Sequence, residues 1–367
     1  MKILEITNVD FSLRQFLLPL MRAARDGGHE VVGVCAEGRL LGSVRAEGFR
    51  VLAVPFERSL SPRAHIRAFL RLLAIIREER PDMVHAHMPI SGFLGRMAAW
   101  WAGVPRIAYT CHGFLFNQEG SWARRNAGLL MEYIAAPMTG TFITVSQNEA
   151  ADARRRRICR HAVALGNGRD PARYRPDPAA RLRLRTKFGT PPERVVVIAV
   201  SRLVRPKGYG ELAEAMRAIP GAELWVIGER LTSDRGEDME ALLRGAGFSD
   251  RLRLLGYRDD VPALLAAADV FVLPSYYEGL PMSVIEAMLS GLPVVASNLP
   301  GIREQVVPET TGLLVPPRDA AALTQALGRV VRDPGLRAAM GAAGRERAVE
   351  QFDEAKVLAR TLEVLRL

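Results

Sequence analysis

Two hydrophobic rhythms alternate along this chain. Short runs of β-branched and aliphatic residues, KILEIT (2–7), EVVGVCA (30–36), RVLAVPF (50–56), DMVHAH (82–87), RIAYTCH (106–112) and TFITVS (141–146), have the length and make-up of strands. Between them, residues 17–28, 65–80 and 92–103 repeat apolar positions at helical spacing. Strands this apolar are buried on both faces, which calls for helices above and below a parallel sheet. The pattern predicts a doubly wound α/β domain. Around residues 166–194 the alternation stops in a stretch rich in proline, glycine and arginine, which has no strand period and reads as a linker. It resumes with VVVIAVS (195–201), ELWVIGE (223–229), RLRLLG (251–256), DVFVLPS (269–275) and PVVAS (293–297), interleaved with helical segments at 209–219, 239–247, 261–268 and 282–291. From about residue 320 the chain reads as helical throughout. Two α/β domains in tandem are therefore expected, with a deep cleft between the carboxyl ends of their strands as the place for a ligand.

Composition narrows the partners. The 367 residues are 49% apolar and 25% charged, which excludes a disordered chain and suits two domains. A formal net charge of +10 is compatible with phosphorylated ligands, nucleic acid or an anionic membrane. Nucleic acid is disfavoured, because aromatics are few and none interleaves the run Arg154–Arg157 as a stacking platform. Arg63, Arg67 and Arg71 at i, i+4 spacing, and Arg124–Arg125 beside Trp122, are either solvated faces or a seat on anionic lipid. The most membrane-like stretch, residues 128–145, is interrupted by Glu132, Pro137 and Gly140 and reads as helix, turn and strand. Charges at Glu5, Asp10 and Arg14 disagree with a secretory signal, and three cysteines without metal-ligand spacing fit a reducing compartment. The expected location is the cytoplasm, with a peripheral position at the inner face of the cell membrane as the extension of the lipid reading.

Candidate chemistry concentrates in a few turns. The first strand leads into TNVDFSLRQF, which has no glycine for a dinucleotide turn, and no Gly-Lys-Ser/Thr phosphate loop occurs. The absence of any Asp-x-Asp pair weighs against metal-held nucleotide diphosphate. His85 and His87 share one face of a strand; with no third ligand evident, packing or hydrogen bonding is expected there rather than a metal. The stretch PSYYEGLPMSVIEAMLSGLPVVAS (274–297) ends a buried strand, passes Glu278 and Gly279, and starts a helix near Pro281 or Met282. Free N–H groups of Met282 and Ser283 at that helix start suit a phosphate, and the carboxylates of Glu278 and Glu286 suit sugar hydroxyls. An ordinary helix with dipole-favoured acids is the bland alternative. In AVSRLVRPKGYGEL, Arg202 and Lys207 follow a strand and offer cations for phosphate oxygens, though taken alone basic residues there are usually solvated surface.

The ordered set SRLVRPKG, GYRDDVPALLAAADVFVLPSYYEGLPMSVIEAMLSGLPVVAS and GLLVPP, with VHAH, TCHGF and TVS upstream, resembles the retaining glycosyltransferases of family 4, which have the GT-B fold. The resemblance implies two Rossmann-like domains facing across a cleft. The acceptor domain would occupy 1–170, the nucleotide-sugar domain 171–350, and 351–367 a helix returning to the first domain. It implies that Arg202 and Lys207 hold the donor diphosphate, that Glu286 binds ribose, and that Glu278 lies near the hydroxyls of the transferred sugar. Gly279, Leu280, Met282 and Ser283 would cradle phosphate and sugar, and Tyr257 and Arg258 would form the base-binding loop, mostly by backbone. His112 would contact the donor sugar from the first domain. Asn8 and Asp10 stand in the turn where many members have glycines, and would meet donor or acceptor through a bulkier wall.

On this resemblance the chain is expected to move a hexose or N-acetylhexosamine from a nucleotide-diphosphate sugar, a UDP-sugar foremost, without metal or further cofactor. The acceptor would be a sugar or lipid-linked sugar in the assembly of a bacterial exopolysaccharide, capsule or O-antigen. The alternatives are an epimerase or hydrolase of nucleotide sugars on the same fold, or an inactive sugar-nucleotide-binding partner protein.

Overall fold

The computed structural model describes residues 1–57, 61–230, 234 and 236–367, which form two compact units. The first comprises Met1–Gly166 together with Lys356–Leu367. Its strands are β1 (Lys2–Ile6), β2 (Glu30–Cys35), β3 (Arg50–Ala53), β4 (Met83–His87), β5 (Arg106–Cys111), β6 (Thr141–Thr144) and β7 (Val163–Ala164). They form one parallel sheet in the order β3-β2-β1-β4-β5-β6-β7. Apolar residues fill both faces, Ile3 and Met83 on one and Leu4, Ile6 and Val84 on the other, as the unbroken apolar runs predict. Serine starts three of the helices: Ser61 before Pro62–Glu79, Ser121 before Trp122–Ala135 and Ser146 before Gln147–Arg155 each accept a backbone N–H of the first turn. Each such cap stabilises by about 1 kcal/mol. The interrupted stretch 128–145 is helix, a short 3₁₀ turn and strand, as read from its breakers. Among the described residues no helix is long and apolar enough to cross a membrane.

The second unit, Asn167–Ala355, repeats the plan. Strands β8 (Val195–Val200), β9 (Ala222–Ile227), β10 (Leu252–Leu254), β11 (Val270–Leu273), β12 (Val294–Ser297) and β13 (Gly312–Val315) form a parallel sheet in the order β10-β9-β8-β11-β12-β13. The tail forms three helices, Ala320–Arg332, Pro334–Gln351 and Glu354–Leu365.

The expected linker is corrected by the structure: Pro178–Phe188 is a helix. Asp177 caps it by accepting from Ala180 N at 2.9 Å, and Gly189 ends it in the left-handed region. The helix is held by arginines as well as by a short apolar row, Ala180, Leu184 and Phe188, that packs toward the core. Arg181 donates to Ala268 O at 2.9 Å and to Asp269 at 2.6 Å, and Arg185 donates to Ala267 O at 3.0 Å. A hydrophobic period is blind to the arginine contacts, and three apolar positions among as many arginines make a weak signal.

In both sheets the strand order reverses direction at the centre, between β1 and β4 and between β8 and β11. Chains leaving such a pair depart to opposite sides and leave a crevice at the strand ends. Much of the candidate chemistry lies at these two points: Asn8 and Asp10 follow β1, Lys207 follows β8 and Glu278 follows β11.

Candidate functional site

In the second unit the loops after β8 and β11 are locked together. The Tyr276 N–H donates to Pro206 O at 2.9 Å. Gly208 sits at φ 74°, and a Cβ there would come within 2.0 Å of Pro274 O, so glycine is required on both counts. This close approach brings Lys207 onto Glu278, with Nζ 2.6 Å from Oε1. The Ser275 hydroxyl donates to the same oxygen at 2.6 Å. An ammonium has three N–H donors, and one contact to Glu278 leaves capacity for phosphate oxygens. Arg202 has a different partner and pairs with Asp234.

The loop preceding the next helix is held at three successive residues. A Cβ on Gly301 would lie 1.4 Å from Gly279 O, so the two backbones touch without side-chain room. Asn167 Nδ2 donates to Leu280 O at 2.7 Å, and Gln305 Nε2 donates to Pro281 O at 2.9 Å. The helix itself runs Met282–Leu289. Pro281 is not in its first turn: it occupies the preceding cap position with extended backbone (φ −66°, ψ 125°), and no side chain caps the helix. The first N–H groups, those of Met282 and Ser283 among them, thus have no side-chain acceptor at the cap and carry the positive end of the helix dipole.

Glu286, one turn inside, is buried and accepts from Arg169 Nε at 2.7 Å and Tyr174 OH at 3.2 Å. Burial works against the Arg169 charge, but Glu286 outweighs it and holds the guanidinium protonated; burial and Glu286 both push the Tyr174 phenol up. Arg169 and Tyr174 come from the stretch expected to be a linker. After β10, Tyr257 OH donates to Asp259 at 3.4 Å, and Arg258 grips Asp260 with two bonds of 2.7 and 2.6 Å. Gly228 N donates to Gly256 O at 2.8 Å and packs against Ser201 O, which joins the loops after β8, β9 and β10.

The first unit carries a separate cluster. Glu5 on β1 and His85 on β4 are register partners, and His87 follows two positions on, over the same face. His85 Nδ1 lies 3.2 Å from Glu5 Oε1, His87 Nε2 2.7 Å from Glu5 Oε2, and His87 Nδ1 3.2 Å from His112 Nε2. Thr110 Oγ1 is 2.8 Å from His85 Nε2. The third group absent from the sequence reading of the two histidines is therefore Glu5. Three ligand atoms of Glu5, His85 and His87 lie within 4.8 Å of one another, close enough for a metal ion, and each is engaged in a hydrogen bond of the cluster. Burial opposes the Glu5 charge, yet the two histidines draw its carboxyl down to about 2. Burial and His85 lower His87 to about 4, and burial with His87 and His85 puts His112 well below the usual imidazole range.

Asp10 turns inward to the backbone, accepting from Phe11 N at 2.7 Å and Leu40 N at 3.0 Å. One carboxylate oxygen thus serves the turn itself and the other ties it to the segment after β2. The neighbouring Thr7 Oγ1 and Asn8 Oδ1 are buried and lack a hydrogen-bond partner among the described residues. Phe16, on a π-helical turn (Leu13–Leu17), stacks over His112 with centroids 6.0 Å apart.

Residues 13–168 match the glycosyl transferase 4-like domain and 181–347 the glycosyl transferases group 1 domain. The chain is 30% identical, over 83% of its length and 80% of the relative's, to the UDP-Gal:alpha-D-GlcNAc-diphosphoundecaprenol alpha-1,3-galactosyltransferase of Escherichia coli. The chain belongs to the glycosyl transferases group 1 family. It is a glycosyltransferase using nucleotide sugars, and its two Rossmann-like units are those of the GT-B fold. Another relative, 35% identical over 55% of each chain, is the GDP-mannose-dependent alpha-(1-6)-phosphatidylinositol monomannoside mannosyltransferase of Mycobacterium tuberculosis. Among solved structures, Anabaena HepE in complex with UDP and glucose superposes with a TM-score of 0.87 at 21% identity, covering 100% of this chain and 99% of that one.

Proposed function

We propose that this glycosyltransferase transfers a hexosyl group with retention from a nucleoside-diphosphate sugar to a carbohydrate or lipid-linked carbohydrate. The observation that carries the reading is the Lys207–Glu278 contact at the reversal of the second sheet, beside a helix start with no side-chain cap. Lys207, Arg202 and that helix start hold the diphosphate; Glu286, fixed by Arg169 and Tyr174, takes the ribose; Glu278 takes hydroxyls of the transferred sugar. The backbone at Tyr257 and Arg258 meets the base, and Gly279, Leu280, Met282 and Ser283 line the phosphate and sugar. Arg202 would have to exchange Asp234 for phosphate, which an arginine at a partly exposed site does at small cost.

The chemistry follows from charge. As the C1–oxygen bond to the diphosphate breaks, negative charge grows on the leaving oxygens, where lysine, arginine and the helix dipole stabilise it without a metal. The acceptor hydroxyl forms its bond to C1 on the face the diphosphate leaves, and its proton passes to a diphosphate oxygen. His112 contacts the donor sugar from the first unit, and Asn8 shapes the space around donor or acceptor. A UDP-sugar is supported by the names of the Escherichia coli and Anabaena proteins, a GDP-sugar by that of the mycobacterial one. The lipid-linked acceptor, and with it a role in surface-polysaccharide assembly, is supported by the name of the Escherichia coli relative.

Exposed Trp122, Ile66 and Leu70 accompany the arginines noted on the same helices, which supports a peripheral seat on anionic lipid at the cytoplasmic face. Titration with UDP- and GDP-sugars, followed by turnover with and without acceptor, tests the assignment. Transfer that requires acceptor supports it; equal donor breakdown in acceptor-free buffer identifies the hydrolase instead. Failure to sediment with anionic vesicles at low salt removes the membrane seat.

A further inference from the structure

We propose that Glu5 and His87 are positioning residues that fix which ring nitrogen of His112 carries its proton, presenting Nδ1 as a bare acceptor. The inference rests on the reading of His112 as a donor-sugar contact and adds how that contact is set.

The assignment runs outward from the one group with no freedom. An ionised carboxylate only accepts hydrogen bonds, so Glu5 Oε2 accepts from His87 Nε2–H across 2.7 Å. A neutral imidazole with its proton on Nε2 is bare on Nδ1. His87 Nδ1 then accepts, and the atom 3.2 Å away, His112 Nε2, is the donor. His112 is likewise left bare on Nδ1, the state suited to accept from a hydroxyl. The second carboxylate oxygen accepts from His85 Nδ1–H at 3.2 Å, and His85 Nε2 accepts the Thr110 hydroxyl at 2.8 Å. This arm anchors Glu5 so that it cannot rotate away from His87. Burial favours the neutral form of the terminal rings: His87 titrates near 4 and His112 lower than usual. Phe16 stacked on His112, with Glu5 on the buried part of β1 and the fully buried β4, fixes the ring planes, so direction as well as tautomer is set.

Long-range ¹H–¹⁵N correlation of histidine-labelled protein reads the tautomer directly, with His112 assigned by the signal lost in His112→Gln. The wild type should show the proton on Nε2. His87→Phe removes the acceptor, so both tautomers should appear, with kcat falling about 10- to 100-fold and the donor KM changing far less. His87→Asn places an amide oxygen where Nδ1 stood and should recover the single tautomer and part of kcat, which a merely space-filling role would not predict. If His87→Phe misfolds, Glu5→Leu tests the same step from the other end. An Nδ1-protonated His112 in the wild type, or an unchanged spectrum in folded His87→Phe, overturns the inference. So does a stoichiometric metal ion whose removal by chelator shifts the His85 and His87 signals. Normal transfer by His112→Gln would instead overturn the sugar contact while the tautomer data stood.

Discussion

Gly301→Ala offers a sharp test of the idea that the donor loop is a rigid cradle. A methyl group at 301 would lie 1.4 Å from Gly279 O and 2.6 Å from Gly279 C, whereas real Cβ atoms essentially never approach within 3.0 Å. The Gly279 carbonyl, or the helix Pro300–Gln305, must therefore move by about 1.6 Å. Neither can yield by side-chain rotation, since both contacts are backbone. Overpacking of this kind costs about 1–3 kcal/mol, which a domain of this size survives. The functional cost is larger, because misplacing a catalytic environment by 1 Å costs about 100-fold. The expected outcome is a folded protein with a modestly lower Tm, nucleotide affinity reduced at least about tenfold, and turnover reduced about 100-fold or more. Gly42→Ala is the control, as a Cβ there meets nothing within 4 Å. Calorimetric titration with UDP or GDP, turnover and thermal melts read the three quantities. Near-normal nucleotide affinity and turnover in a folded Gly301→Ala would show that the 279–281 loop is not held as described, and the cradle argument would fall.

Lys207→Ala should lower turnover about 100-fold with little change in the melt, as expected when a cation on developing charge is lost; near-normal turnover would reassign the lysine. Arg169→Met leaves Glu286 buried without its cation and should cost about 3–5 kcal/mol in urea unfolding. A loss below 1 kcal/mol would show that Glu286 is solvated. Acid should destabilise the first unit in two steps. His87 is depressed from 6.5 to about 4 and so contributes stability above pH 6.5 that is lost as pH falls to 4, on the order of 3 kcal/mol. Glu5, depressed from 4.5 to about 2, adds stability above pH 4.5 that disappears toward pH 2. Urea midpoints at pH 7, 5 and 4 should fall in that order, and the fall between 7 and 5 should shrink in His87→Phe.

Much of the architecture was legible because it is written in local pattern. Apolar runs such as residues 195–200 and 270–273 can be satisfied only inside a parallel sheet covered on both faces. The Lys207 and Glu278 pairing was partly legible, since both stand at carboxyl ends of strands. What escaped is carried by distance in sequence. Asn167, Gln305 and Gly301 hold the 279–281 loop from afar, and Arg169 and Tyr174 reach Glu286 from a stretch whose prolines and arginines hide a capped helix. Glu5 did leave a signal: a carboxylate in the middle of the apolar run KILEI cannot be buried unpaired, and the basic groups of the adjacent strand, His85 and His87, are its partners.

The first unit is discontinuous along the chain, and Leu365 lies fully buried in it beside Ile3 and Leu13, with Arg106 donating to its carbonyl. During synthesis the ribosome must therefore translate the roughly 190 residues of the intervening unit, for about 10–40 s, before that socket can be filled. Over this interval the nascent domain exposes an apolar notch and offers chaperones a foothold. A fragment ending at 166 inherits the same defect, and supplying 356–367 as a separate peptide should cure it.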